Sequence, residues 1–128
     1  MKKNFNEGFT LVELVIIMVI LGVLAAVAVP RLGSSIDSSE LAAEEAVIGS
    51  LRSALEVYAM DKVVENSTKS YPSSPFDALD TKSKNELLST NWSYNVQGPS
   101  DGFVYHNRND GNTESWYYNS LTGEISLD

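Results

Sequence analysis

Between Gly8 and Pro30 the chain holds 21 consecutive residues, Phe9 to Val29, of which only Thr10 and Glu13 are polar. From Leu14 to Val29 no side chain is polar. As a helix this run is roughly 31 Å long at about 1.5 Å per residue, enough to cross a hydrocarbon core of about 30 Å. It nevertheless carries a carboxylate close to its start, and any fold has to accommodate Glu13.

The flank decides orientation. Lys2 and Lys3 precede the run, so this end is expected on the cytoplasmic side and the C-terminal part on the far side. Three readings of residues 1–30 compete. A secretory signal would use Ala26-Val27-Ala28 as its cleavage site. A plain anchor would keep the whole segment. A leader cut between Gly8 and Phe9 would leave the apolar run on the mature protein. A carboxylate at mid-bilayer costs about 2.5–3.5 kcal/mol and usually marks a function with a specific partner. Near the end of the span the cost is smaller, but neither a signal nor an anchor has a use for Glu13.

Gly8-Phe9-Thr10-Leu11-Val12-Glu13-Leu14, followed by the apolar stretch and Pro30, resembles the N-terminus of type IV pilins and of the pseudopilins of type II secretion. The resemblance implies that a prepilin peptidase cuts after Gly8 and methylates the new N-terminus at Phe9. It also implies that Glu13 pairs with the free amine of a neighbouring subunit's first residue. A buried ion pair offsets much of its own desolvation, so one cation and one anion per helix favour a particular axial stagger. Glu13 is then a register device more than a source of net stability.

Gly22 and Pro30 bracket the second half of the run. Pro30 lacks an N–H and its ring clashes with the carbonyl of Ala26, so the helix is expected to kink or loosen there. Gly22 weakens a helix by about 1 kcal/mol relative to Ala. In filaments of the resembled family the corresponding stretch is often non-helical, which implies the same here. The alternative is that Pro30 only marks the membrane boundary.

Beyond Arg31 the pattern predicts an amphipathic helix over about 31–63. Ile36, Ala43, Val47, Leu51, Ala54, Leu55 and Tyr58 share one stripe, and Glu40, Glu44 and Glu45 lie away from it. The Glu cluster has no His or Asp at ligand spacing, so it reads as a solvated face; with Arg52, Glu44 and Glu45 could also meet neighbouring subunits. A connecting region over about 66–90 follows, in which Tyr71-Pro72-Ser73-Ser74-Pro75 forbids a regular helix. Residues 91–128 alternate as short strands, beginning at Trp92, Phe103, Ser115 and Glu124. Their close turns, including Asn109-Asp110-Gly111-Asn112, demand antiparallel pairing. Nine of the twelve aromatic residues lie from Tyr71 onward, so an aromatic sheet face is expected on the apolar stripe of the helix.

Composition closes off several chemistries. Nine Lys and Arg against 17 Asp and Glu give a net charge of −8, and the seven basic residues after the run are scattered. Nucleic acid is therefore not an expected partner. There is no cysteine, which excludes disulfides and thiolate chemistry. Gly98-Pro99-Ser100-Asp101-Gly102 fits a nucleophile-elbow pattern, but its exit is strand-like and it reads as a hairpin turn. His106, the single histidine, has no assignable nucleophile or orienting carboxylate. Asn107, Asn109, Asp110, Asn112 and Glu114 form an oxygen-rich loop. A structural turn is the expectation there; calcium is the alternative, because major pseudopilins of the resembled family use a late calcium loop, though the acidic pattern of that loop is not matched.

The fold class expected is α+β: one long N-terminal helix, its first half transmembrane and its second half amphipathic, packed on a small C-terminal antiparallel sheet. Residues 1–8 are the expected leader, 9–30 the membrane and filament-core helix, and 31–128 the periplasmic or extracellular domain. The function implied is not enzymatic: it is that of a filament subunit held in the inner membrane, with no cofactor. Its implied partners are a prepilin peptidase, copies of itself and other pilin-like subunits, an inner-membrane assembly platform and membrane lipid. The short chain and missing cysteines lean to a type II secretion pseudopilin. Ala28-Val29-Pro30-Arg31-Leu32 resembles mannose-sensitive pilins and leans to a surface pilus. A membrane-anchored or secreted binding module using the aromatic sheet is the alternative of another class.

Overall fold

The computed structural model describes residues 8–128; Lys2, Lys3 and the rest of the expected leader before Gly8 lie outside the described residues. The chain divides into two compact units, one ending at Ser39 and one running Glu40–Asp128. A single helix, α1 (Leu11–Asn66), contributes to both.

Thr10 starts α1 as its N-cap. Its hydroxyl accepts the backbone N–H of Glu13 at 3.2 Å, satisfying one of the free donors at the helix start. From Gly8 to Ser39 every residue is exposed, including the whole apolar run. The expected loosening at Pro30 is not present in this structure: the backbone stays α-helical through that residue. Proline in a helix interior costs about 3 kcal/mol relative to Ala, through its missing N–H and its ring clash, and the helix tolerates it here. Just beyond, Ser34 and Ser35 both donate their hydroxyls to the Arg31 carbonyl at 3.0 Å.

In the second unit α1 buries a stripe of Glu44, Ile48, Leu51, Leu55 and Ala59. This corrects the spacing read from sequence. Ala43 and Ile36 are exposed, and Glu44, expected on the solvated face, is buried. The helix has turned so that a carboxylate enters the core edge, where cationic partners receive it. Ser67, with φ at 57°, ends the helix in the left-handed region and donates its N–H to Val63 at 2.8 Å.

A 3₁₀ turn (Pro75–Ala78) and a short helix α2 (Thr81–Leu88) follow. Pro75 presets the first, and Asp80 caps the second by accepting the N–H of Ser83 at 3.1 Å. Four strands then form an antiparallel meander in chain order: β1 (Trp92–Val96), β2 (Asp101–Asn107), β3 (Thr113–Asn119) and β4 (Glu124–Leu127). Gly111 and Gly123 take positive φ in the two later turns. The ring of Tyr71 stands where a Cβ at Gly123 would be, so that turn is doubly restricted to glycine.

The period of two sorts the sheet into faces. Trp92, Val104, Trp116, Tyr118 and Ile125 face the helix and join Ile48, Leu51, Leu55 and Phe76 in one core. Phe103, Tyr105 and Tyr117 stack on the opposite face, Phe103 and Tyr117 edge to face at 5.6 Å. Two phenols tie the Pro-rich segment down. Tyr118 donates to the Pro72 carbonyl at 2.7 Å and Tyr94 to that of Ser73 at 3.0 Å.

Candidate functional site

Two polar sites stand out, one in each unit. The first is the capped start of α1. Thr10-Leu11-Val12-Glu13 has the spacing of a capping box, with Thr10 as N-cap and Glu13 at the third helical position. The cap fixes where the Glu13 carboxylate leaves the helix, within the first turn, at the positive end of the helix dipole. Phe9 and Glu13 are both exposed on this unit among the described residues. Gly22 is helical with open space beside it, and Pro30 lies farther along the same helix. The first site was local in sequence, its one hydrogen bond spanning three residues.

The second site was not. Register places His106 of β2 between Trp92 of β1 and Glu114 of β3 on the inner face. The Trp92 and His106 rings stack at 4.5 Å. From α1, Glu44 reaches this row. One carboxylate oxygen is 2.6 Å from His106 Nδ1 and accepts from Arg108 Nε at 2.8 Å; the other accepts from Arg108 Nη2 at 2.7 Å. Arg108 Nη2 also donates to Glu114 at 2.8 Å. Glu40 extends the tether by accepting the Asn109 N–H at 2.9 Å.

Glu44 is 2% exposed, so it relies on these donors. The Arg108 guanidinium hydrogen-bonded to it holds its carboxyl below the usual range, against burial, which pushes it up; His106 adds to the lowering. The same bond raises the Arg108 pKa, and Glu114 contributes to the rise. The chemistry is that of a brace joining helix to sheet through charge. No nucleophile adjoins His106 within this group.

The oxygen-rich loop serves the brace and its own turn. Asp110 accepts the Asn112 backbone N–H at 2.8 Å and its side-chain amide at 2.7 Å, and those bonds lower the Asp110 pKa. The Asn107 side chain accepts from Thr113 at 2.8 Å, and Glu114 is held by Arg108. Asn109 is engaged through its backbone. Among the described residues no group of three or more His, Cys, Asp or Glu is arranged to hold a metal ion. Calcium at this loop would have to displace a guanidinium already bonded to Glu44 and Glu114. Sequence reasoning missed the brace because its partners lie 62 and 64 residues apart.

A profile of the prokaryotic N-terminal methylation motif matches residues 3–29. Among curated proteins, the type II secretion system core protein G of Pseudomonas aeruginosa is 35% identical over 69 residues, 54% of this chain and 49% of that protein. The protein of the same name from Pectobacterium carotovorum is 34% identical over 101 residues, 77% of this chain and 57% of its own. The type IV major fimbrial protein FimA of Dichelobacter nodosus is 37% identical over 59 residues, 46% of this chain and 38% of its own. The matches thus span about half the length of these relatives, which are named as secretion-system and fimbrial proteins and not as enzymes. No solved structure matches the chain.

Proposed function

Since this chain belongs to the pilin and pseudopilin family, we propose that it is a structural subunit of a helical filament, cut after Gly8, methylated at Phe9 and stored in the inner membrane until assembly. The observation that carries this reading is the exposed apolar helix with a carboxylate in its capped first turn. From Phe9 to Val29 every residue is exposed among the described residues, and the helix is long and apolar enough to cross a membrane. Burial releases about 25 cal/mol per Å² of apolar surface, so lipid and then neighbouring helices are the natural cover. Cutting after Gly8 makes a cation at Phe9, one turn from Glu13, and a neighbour's Glu13 is its matching anion. Gly22 and Pro30 are the weak points at which the helix loosens during packing.

Of the two filament types we favour the type II secretion pseudopilin. Similarity to a core protein G extends over 101 residues, whereas similarity to the fimbrial protein covers 59. On this reading the prepilin peptidase and an inner-membrane platform are partners, and the second unit is periplasmic. A surface pilus is the second reading, favoured by the fimbrial matches themselves.

Mass spectrometry of the mature N-terminus tests the processing. A methylated Phe9 is expected; a start at Val29 or a retained Met1 overturns it. Deletion of the gene separates the two filaments: loss of protein secretion fits a pseudopilin, and loss of surface fibres with secretion intact fits a pilus.

A further inference from the structure

Within the Glu40–Asp128 unit, the side of α1 turned from the core carries a second pattern. Val57, Met60 and Val64 are 62%, 61% and 84% exposed and recur at heptad spacing. A single exposed apolar residue needs no explanation, but three aligned on one helix form a ridge. The same seam continues toward the N-terminus as Ser53, Ser50 and Ala46, all exposed and small. No charged residue falls on it, although Glu45, Arg52, Glu56, Asp61, Lys62 and Glu65 occupy the positions around it.

Beside the small end of the seam lies a groove of about 420 Å³, where Ala46, Val47 and Ser50 of α1 face Leu79, Leu87 and Glu86, the one charged residue of its lining. Bulky apolar side chains and a partly apolar recess therefore lie along one helix, centred about 12 residues apart, or roughly 18 Å at 1.5 Å per residue. We propose that the Val57, Met60 and Val64 ridge of one copy seats in this groove on the next copy. The proposal rests on the filament-subunit reading and adds a specific contact to it.

Three arguments select a second copy as occupant. At a net charge of −8, copies repel one another over most of their surface and approach best through their least charged faces, here an uncharged ridge and a groove with Glu86 as its one ionisable residue. Ridge against ridge would hold the helices apart, and groove against groove would leave a void, so the two halves fit only in a staggered, head-to-tail manner. A heterologous contact of that kind does not close on itself and propagates as a helix of subunits, the geometry a filament requires.

The chain has no cysteine, which makes the test clean. Ser50→Cys and Met60→Cys are introduced singly and together in the full chain, and assembled material is oxidised. Co-expressed single variants are expected to give a crosslinked dimer, the double variant a ladder of multimers, and each single variant alone only monomer. Equal crosslinking by Met60→Cys alone would indicate a symmetric contact and overturn the proposal. Absence of crosslinks in filaments visible by electron microscopy overturns the contact and leaves the filament reading standing. A different protein as main crosslinked product also overturns the contact. Complete absence of assembly by the unsubstituted chain, with its platform present, overturns both. As a second readout, Met60→Glu is expected to abolish the ladder in the Ser50→Cys and Val57→Cys background with no change in melting temperature, since Met60 is exposed. A ladder that persists there counts against the contact.

Discussion

Glu44 of the helix and Arg108 at the end of β2, 64 residues apart in sequence, form a two-pronged ion pair at 2.7 and 2.8 Å. His106 and Glu114 complete it, so the edge of the small core is closed by charge and not by an aliphatic side chain. The brace joins the long helix to the β2–β3 hairpin.

Replacing Glu44 by Gln is expected to destabilise the C-terminal unit by about 1–3 kcal/mol, because a buried acceptor for three donors loses its charge. Urea denaturation followed by tryptophan fluorescence measures this directly, since Trp92 stacks on His106. In a cycle with Arg108→Ala the two losses should be less than additive. Additivity would mean that the pair contributes nothing as a pair.

The brace also sets an acid limit. The folded carboxyl of Glu44 titrates below its ordinary value of 4.5. Its stabilisation is therefore complete above that value and is lost as pH falls through the lower folded one. Melting temperature should drop more steeply below pH 4.5 in the unsubstituted protein than in Glu44→Gln, whose curve lacks this contribution. Identical slopes would remove Glu44 from the acid response.

Tyr118→Phe tests the tie to the Pro-rich segment. The ring is fully buried and its hydroxyl donates to Pro72 at 2.7 Å. Removing the hydroxyl leaves a buried carbonyl unpaired, and a loss of about 1–3 kcal/mol is expected in thermal unfolding. Burial also raises the phenol pKa well above 10. The folded protein therefore holds the proton more tightly, and stability should fall as pH rises beyond about 10, less so in the Phe variant.

Chelation addresses the oxygen-rich loop. With Arg108 supplying the positive charge between Glu44 and Glu114, neither calcium nor a chelator is expected to shift the melting temperature. A rise of several degrees on adding calcium would show that an ion displaces the guanidinium.

At the other end, Glu13→Ala should leave the subunit in the membrane and sharply reduce filament assembly, scored by electron microscopy. Thr10→Ala removes only the cap, worth about 1 kcal/mol at a helix start, and should give a milder defect. Normal filaments from the Glu13 variant would end its proposed role in register.

Much of this molecule is local and could be read without coordinates. The apolar run, the strands and the turns at Gly111 and Gly123 depend on neighbours within a few residues, through helical and strand periods and through positive φ. Each period also announces which side chains are candidates for burial. What it cannot fix is the phase of a long helix against a sheet, because a rotation of one residue's arc exchanges Ala43 for Glu44 at the core edge. That choice was made by Arg108 and His106, which lie far along the chain and act only once the hairpin has formed. The sequence alone determined that an apolar helix would need cover from outside the chain. Tertiary structure decided that an ion pair would lock its second half to the sheet, since that energy exists only when distant charges are brought within 3 Å and screened from water.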